Sequence, residues 1–394
     1  MNIVIQKFGG TSVSTEKRRK LIVSKVKGCI EQGNMPVIVV SAMGRKGEPY
    51  ATDTLLSLVG NDFKSTNLLA VDLLMSCGEI ISSVVMAEQL NKNGINAHPL
   101  TGGQAGILTD SIHGAANIID VNTEMILNLL DDNIIPVVAG FQGIDSKGFI
   151  TTIGRGGSDV TAAILGAALK ANRVEIYTDV DGIMTSDPRI VPNASLIKEI
   201  SYKEIFQFAH QGAKVIHPRA VEISEKHNIP LLIKNTFSDS EGTLINEFSS
   251  KSEKIITGIT NINDRVQIRV TNNFEEAYNN LFDVLAENNI SLDLINVFPK
   301  EKIFTIDKKD LDKLILIIKD LKLSFSYIEN CSKLSVIGEG MKGRPGVMAK
   351  ILKALTREGV EVLQTADSHM TIWCLINSND VSNAINALHN EFDL

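Results

Sequence analysis

Ile3-Val4-Ile5-Gln6-Lys7-Phe8-Gly9-Gly10-Thr11-Ser12 is the stretch whose reading decides the fold. The apolar run at 2–8 is strand-like, and it ends in two glycines and two hydroxyl residues. Helix-period sequence follows over 15–32 and is stopped by Gly33. Strand, glycine turn and helix form the opening of a βα unit, and the rhythm continues down the chain. Residues 36–42, 95–100, 134–139 and 174–178 read as buried strands, and 79–93 and 158–169 as helices, the first of these stopped by Gly94. Such alternation predicts a mostly parallel sheet with helices on both faces, a three-layer αβα sandwich of the α/β class. Residues 143–150 read instead as a hairpin turning at 145–148, so the sheet is expected to be mixed.

The pattern breaks after Pro230-Leu231-Leu232-Ile233, and the polar run Ser249-Ser250-Lys251-Ser252-Glu253-Lys254 reads as an exposed connector. Beyond it, Leu281, Leu285, Ile290 and Leu292 recur in kind 70 positions later as Ile351, Leu355, Val360 and Val362. That spacing predicts two copies of one small α+β unit of the βαββαβ type. The expected organisation is a catalytic domain at 1–236, a linker at 237–254, and repeats at 255–328 and 329–394. A chain of 394 residues exceeds the length at which one core stops growing, in agreement with several domains.

With 44% hydrophobic and 22% charged residues the composition is that of an ordinary globular protein. A net charge of −7 argues against a nucleic-acid surface, so any bound anion must meet a local cluster of cations. Cys29, Cys77, Cys331 and Cys374 form no metal-type or redox-type pair and read as reduced thiols. The seven histidines show no metal spacing, so no metal site of the protein's own is expected. No basic and apolar leader precedes the first strand, and no uninterrupted apolar run approaches the ~18 residues of a membrane span. A cytoplasmic enzyme without membrane partners is the expectation.

Five segments carry chemistry. Lys7 to Ser12 would expose backbone N–H groups at a helix start beside a lysine, an arrangement that holds phosphate; a tight strand-to-helix connection would read the same way. Thr151-Thr152-Ile153-Gly154-Arg155-Gly156-Gly157-Ser158-Asp159 offers a cation for a carboxylate and an anion for an ammonium group, the two ends of an α-amino acid, with Ser158 as the expected N-cap. Asp159 would also complement a helix dipole, as would Glu79 in Ser76-Cys77-Gly78-Glu79, which reads as a helix start. Thr178-Asp179-Val180-Asp181-Gly182-Ile183-Met184-Thr185-Ser186-Asp187-Pro188-Arg189 is an acidic loop at a strand end, able to order a nucleotide or to hold Mg²⁺ through water. Lys214 precedes a helix starting at Pro218 and is a second candidate phosphate clamp. There is no GxxxxGK[ST] loop, no GxGxxG after a strand, and no protein-kinase HRD or DFG.

In this order the segments at 7–13, Val40-Ser41-Ala42-Met43, Gly78-Glu79, 154–159, 178–189 and 212–220 resemble the aspartokinases of the amino acid kinase family. The two repeats are similar to the paired ACT regulatory domains that follow that catalytic fold. Gly44-Arg45-Lys46-Gly47 and the stretch 363–373 most resemble the diaminopimelate-responsive branch of spore-forming Gram-positive bacteria. The resemblance implies ATP, with Mg²⁺ carried on it, near Lys7, Gly9, Gly10, Ser41, Thr178, Asp179, Thr185, Arg189 and Lys214. It implies L-aspartate held by Thr52, Glu79, Arg155, Ser158 and Asp159, with Lys7, Arg155, Asp159 and Lys214 as the catalytic set. Thr54 is the alternative to Thr52, and Met184 stands where many members carry Tyr. It further implies an amino-acid-type feedback effector (diaminopimelate, lysine or threonine) and a homo-oligomer formed through the ACT domains. Other enzymes of the fold, such as glutamate 5-kinase or uridylate kinase, and an inactive amino-acid sensor are the competing readings.

Overall fold

The structure is a computed structural model and describes residues 1–213, 215–247, 254–271 and 275–394. Lys214 and most of the polar connector lie outside the described residues. The chain divides into two compact units, one of residues 1–183, 196–209 and 214–250, the other of 184–195, 210–213 and 251–394. The catalytic span expected at 1–236 therefore gives up two short segments, 184–195 and 210–213, to the second unit.

Chain order in the first unit is β1 (Ile3–Phe8), α1 (Gly10–Val13), α2 (Glu16–Glu31), β2 (Met35–Val40), α3 (Thr52–Leu56), α4 (Asn61–Thr66) and α5 (Leu68–Lys92). Then come β3 (Ala97–Leu100), β4 (Ile107–Thr109), β5 (Ile118–Val121), α6 (Glu124–Asp131), β6 (Ile135–Ala139), β7 (Gln142–Asp145) and β8 (Ile150–Thr152). It continues with α7 (Gly157–Ala168), β9 (Arg173–Thr178), β10 (Glu199–Ser201), α8 (Tyr202–His210), α9 (Pro218–Lys226), β11 (Leu231–Asn235) and β12 (Thr243–Asn246).

Eight strands form the main sheet in the order β10-β12-β11-β9-β1-β2-β6-β3. Its centre, β11-β9-β1-β2-β6-β3, is parallel throughout. The sheet is mixed, but the antiparallel pair is β11 with β12. The predicted hairpin does form between β7 and β8, where Asp145 Oδ1 accepts the N–H groups of Lys147 and Phe149 around Gly148. It belongs to a separate four-stranded sheet, β5-β4-β7-β8.

Period-two alternation along β1 sorts its side chains. Phe8 packs with Ile22, Val23 and Val26 of α2 and Met86 and Leu90 of α5, each apolar side chain contributing about 1.5–3 kcal/mol on burial. Ile5 and Lys7 face the other way, toward α7, where Gly166 lets the helix lie against Ile5 and Val174. Thr15, read as the first residue of α2, is instead its cap, accepting the Arg18 N–H. Among the described helices α5 is the one long and apolar enough to cross a bilayer by length and composition, a feature the search for an uninterrupted run passed over. Its Met86, Ala87 and Leu90 lie in the core, and its Asp72 and Glu79 are hydrogen-bonded to the protein, while Leu68, Leu73 and Val84 are exposed.

The second unit holds β13 (Gly258–Thr271), α10 (Glu275–Asn279), α11 (Leu281–Glu287), β14 (Asp293–Val297), β15 (Glu301–Asp307), α12 (Leu311–Asp320), β16 (Ser324–Ile337), α13 (Val347–Arg357), β17 (Val362–Asp367), β18 (Thr371–Asn377) and α14 (Val381–Glu391). These strands form one antiparallel sheet, β14-β15-β13-β16-β18-β17. The internal repeat is visible in the paired elements: β15 and β18 start at residues 301 and 371, α12 and α14 at 311 and 381. Each copy has its own core, but the copies are not consecutive blocks. Ile256 and Ile259 pack with Leu334, Val336, Ile351 and Leu388 of the second copy, whereas the core of the first begins at Val266. Strands β13 and β16 each span both cores, with irregular pairing between Ile262 and Gln267 where they pass from one to the other.

Candidate active site

Parallel β1, β2, β6 and β9 end together, which brings Phe8, Val40, Ala139 and Thr178 to one edge, where open α/β sheets bind ligands. Gly9 takes extended backbone (φ −71°, ψ 164°) before the short α1, and its N–H donates to Tyr177 O on the neighbouring strand. A Cβ on Gly10 would sit 2.5 Å from Ala42 O and 2.9 Å from Gly44 O, so only glycine allows the turns after β1 and β2 to touch. Ser41 is fixed in the same seam, its N–H donating to Phe8 O.

Lys7 reaches across to α7, placing Nζ 2.7 Å from Asp159 Oδ1, with both side chains largely buried. Asp159 Oδ2 also accepts the His217 N–H at 3.2 Å. The carboxylate offered by the sequence reading to an ammonium group thus already has a cation and an N–H donor. Ser158, beside it, is buried because Gly140 lacks a side chain: a Cβ there would meet Ser158 Oγ at 2.7 Å. Ser158 is not the cap of α7. Gly156 holds that position at φ +70°, under a His217 ring that would lie 2.2 Å from an added Cβ. Arg155 stands exposed on this loop with no ion-pair partner among the described residues.

Glu79 is the largest difference from the sequence reading. It does not start a helix but lies in the middle of α5, which begins at Leu68 and buries Asp72, Ser76, Gly78 and Glu79. Oε1 accepts the Ala42 N–H at 3.1 Å, and Oε2 is buried with no hydrogen-bond partner among the described residues. Burial pushes its pKa up to about 8, against the smaller downward pull of the Ala42 N–H. Gly78 makes the position possible, since a Cβ there would meet the Ala42 side chain at 2.7 Å.

Thr54 Oγ1 accepts the Gly47 N–H and ties down the loop after β2, while the Thr52 hydroxyl has no such bond among the described residues. Asp179 pairs with Arg45 Nη2 at 2.5 Å, and Arg45 Nε donates to Thr11, so this arginine joins three loops at the edge. Thr178 hydrogen-bonds Asp179. Asp181 accepts from Asn235 and Ser238, which hold its carboxyl below the usual range. Both strand-end carboxylates thus have protein partners already, a donor set that fits a cation held chiefly by phosphate oxygens and water.

Thr185 and Arg189 group with the second unit. Thr185 is buried, its Oγ1 accepting the Ser195 N–H and meeting His389 Nε2 at 2.9 Å. Arg189 folds back on Asp187 in a charge-assisted fork. Arg45, Gly140 and Asp72 escaped the sequence reading as site residues. A carboxylate within the apolar run Leu68 to Met75 was the available signal for Asp72; Gly140 gave none, because its value lies in a contact with a distant residue.

The sequence matches the Amino acid kinase family over residues 2–235 and the ACT domain over 326–390. It is 45% identical to aspartokinase 1 of Bacillus subtilis (strain 168), with both chains covered completely, and 37% identical to the aspartokinase of Geobacillus stearothermophilus, covering 100% of this chain and 98% of that one. Among solved structures, Clostridium acetobutylicum aspartate kinase superposes with a TM-score of 0.82 at 24% identity, covering 99% of this chain and 100% of that one. E. coli aspartokinase III in complex with lysine and aspartate gives 0.77 at 25% identity, covering 99% of each chain. With relatives matched end to end and the catalytic fold recognised over more than half its length, this chain belongs to the aspartokinases of the amino acid kinase family and is a kinase.

Proposed function

We propose that the strand-end site binds L-aspartate and MgATP and joins them as 4-phospho-L-aspartate and ADP, the entry reaction to lysine, diaminopimelate, threonine and methionine synthesis. The observation that carries the residue assignment is the buried Oε2 of Glu79, which has no partner among the described residues, beside the Gly10–Ala42 seam. An orphan buried acceptor calls for a donor, and the aspartate ammonium group supplies one. Arg155 takes a carboxylate of the same substrate, with Ser158 and Thr52 as hydroxyl contacts. The nucleotide phosphates lie along Gly9, Gly10 and Ser41, with Thr178, Asp179 and Lys214 as further candidate contacts.

The β-carboxylate attacks the γ-phosphorus, the bond to the β–γ bridging oxygen breaks, and ADP leaves with the electron pair. No base is required, because a carboxylate with a reference pKa near 4 is ionised at neutral pH. The protein's task is to hold two anions together and to stabilise charge spreading over the phosphoryl oxygens. Lys7 serves it, fixed in direction by Asp159. Mg²⁺ bound to the nucleotide would supply further positive charge. A coupled assay of aspartate-dependent ADP release, with glutamate and UMP as alternative acceptors, tests the reading; turnover with either alternative and none with aspartate refutes it.

The ACT repeats are read as a feedback module acting on a two-state equilibrium, and as the surface of a homo-oligomer. The E. coli relative solved with lysine and aspartate supports an amino-acid effector. Titration of meso-diaminopimelate, lysine and threonine against the full chain tests this, and indifference to all of them refutes it.

A further inference from the structure

Asp72 is fully buried on α5, and the substrate reading gives it no part. Its two oxygens gather four donors from two other segments. Oδ1 accepts from Thr152 Oγ1 at 2.6 Å, and Oδ2 from the Thr152 N–H at 3.1 Å and from His113 Nδ1 at 2.9 Å in the tautomer that carries hydrogen there. The Gly114 N–H is shared between both oxygens, at 3.1 and 3.0 Å. A carboxylate so satisfied inside the protein is a rigid junction, because losing it would strand several buried donors at once.

The junction has a position as well as a strength. Asp72 and Glu79 are seven residues apart on one helix, so they share a face about two turns, or roughly 10 Å, from each other. Between them the carbonyl of Ser76 accepts Gln142 Nε2, so this face of α5 is a polar seam along its length. On the far side of the junction, Thr152 ends β8 three residues before Arg155. The His113–Gly114 turn backs the same loop: an added Cβ on Gly154 would lie 3.7 Å from Gly114 O, and the Ala116 N–H donates to Thr152 O. Asp72 thus clamps the root of the Arg155 loop to the helix that carries Glu79.

We propose that Asp72 is a positioning residue for the amino-acid substrate: it fixes the separation between Glu79 and Arg155, the groups read as holding the two charged ends of aspartate. The inference rests on that reading of Glu79 and Arg155. It predicts an effect on aspartate and not on the nucleotide, because the backbone N–H groups of Gly9 and Ser41 are tied to β9 and β1, not to the Asp72 junction.

The test is steady-state kinetics and thermal unfolding of the full chain carrying Asp72→Ala, Asp72→Asn, His113→Ala or Thr152→Val. Misplacing a binding group by an ångström costs up to a hundredfold, so Asp72→Ala should raise KM for aspartate by about tenfold to a hundredfold with KM for ATP within about twofold. Asp72→Asn keeps an oxygen for the N–H donors and an N–H for the Thr152 hydroxyl, and it should recover most of that loss. His113→Ala and Thr152→Val each remove one bond and should raise KM for aspartate less. A lower Tm with unchanged KM for aspartate in the Asp72 variants overturns the proposal, as does an equal rise in both KM values. If Asp72→Ala does not fold, an unchanged KM for aspartate in both His113→Ala and Thr152→Val overturns it. Glu79→Gln and Arg155→Ala are the controls: unchanged KM for aspartate in both refutes the substrate assignment and this proposal together, whereas a rise there alone refutes only the role of Asp72.

Discussion

Glu79 should make aspartate binding depend on pH in a range where free carboxylates no longer titrate. In the folded chain without substrate its pKa is about 8, so at pH 7 it is mostly the neutral acid. Pairing with an ammonium group needs the carboxylate. Apparent KM for aspartate is then multiplied by one plus ten to the power of pKa minus pH, about 11 at pH 7 and about 1.1 at pH 9. KM should therefore fall about tenfold between these values, with KM for ATP nearly constant. Glu79→Gln has no proton to lose: its KM should be far higher, by about 30-fold or more for a lost buried charge pair, and flat across the range.

Stability should move in the opposite sense. A carboxyl whose folded pKa is raised contributes stability that is present below pH 4.5 and is lost as pH rises through 8. Substrate-free protein should weaken over that window by up to about 1.4 kcal/mol per pH unit relative to Glu79→Gln. Initial rates at several aspartate concentrations and thermal unfolding, both from pH 6.5 to 9, measure the two effects. A wild-type KM for aspartate that is flat over this range, or a Glu79→Gln slope equal to that of the wild type, refutes the reasoning.

Lys7→Met should lower kcat by about a hundredfold to a thousandfold, the usual loss for one preorganised electrostatic donor, and a normal kcat would remove Lys7 from the chemistry. Arg155→Ala, on an exposed and unpaired side chain, should raise KM for aspartate and leave thermal stability nearly unchanged; a fall in kcat alone would contradict a binding role. Gly10→Ala must push against two backbone oxygens, at 2.5 and 2.9 Å, and should cost about 1–3 kcal/mol of stability while raising KM for ATP. Gly28→Ala, in the interior of α2 with open space around it, should instead stabilise by about 0.5–1 kcal/mol, and the two unfolding curves together check the steric argument.

Features that depend on neighbours along the chain were legible in the sequence. The central strands, the helix of 15–32, the stops at Gly33 and Gly94, the Asp145 turn and the 70-residue repeat all appear where the reading put them, because each is set within a few residues or by plain recurrence. The glycines at 9 and 10 marked a turn between strand and helix. Nothing local said that Ala42 lies against that turn.

Only the tertiary structure decided the contacts between segments far apart in sequence. It paired Lys7 with Asp159, although each was read as facing a ligand, since alternation along β1 and the register of α7 turn them toward each other. It moved Glu79 from a helix start to a buried mid-helix position, where desolvation decides its charge. It sent the 143–150 hairpin to a second sheet and gave the first turns of β13 to the second repeat, because strand pairing is chosen by hydrogen-bond partners and core contacts that no local pattern encodes. The sequence by itself determined which groups are available and on which kind of element each sits. Folding determined which of them meet, and left Glu79 Oε2 among the buried acceptors that have no partner among the described residues.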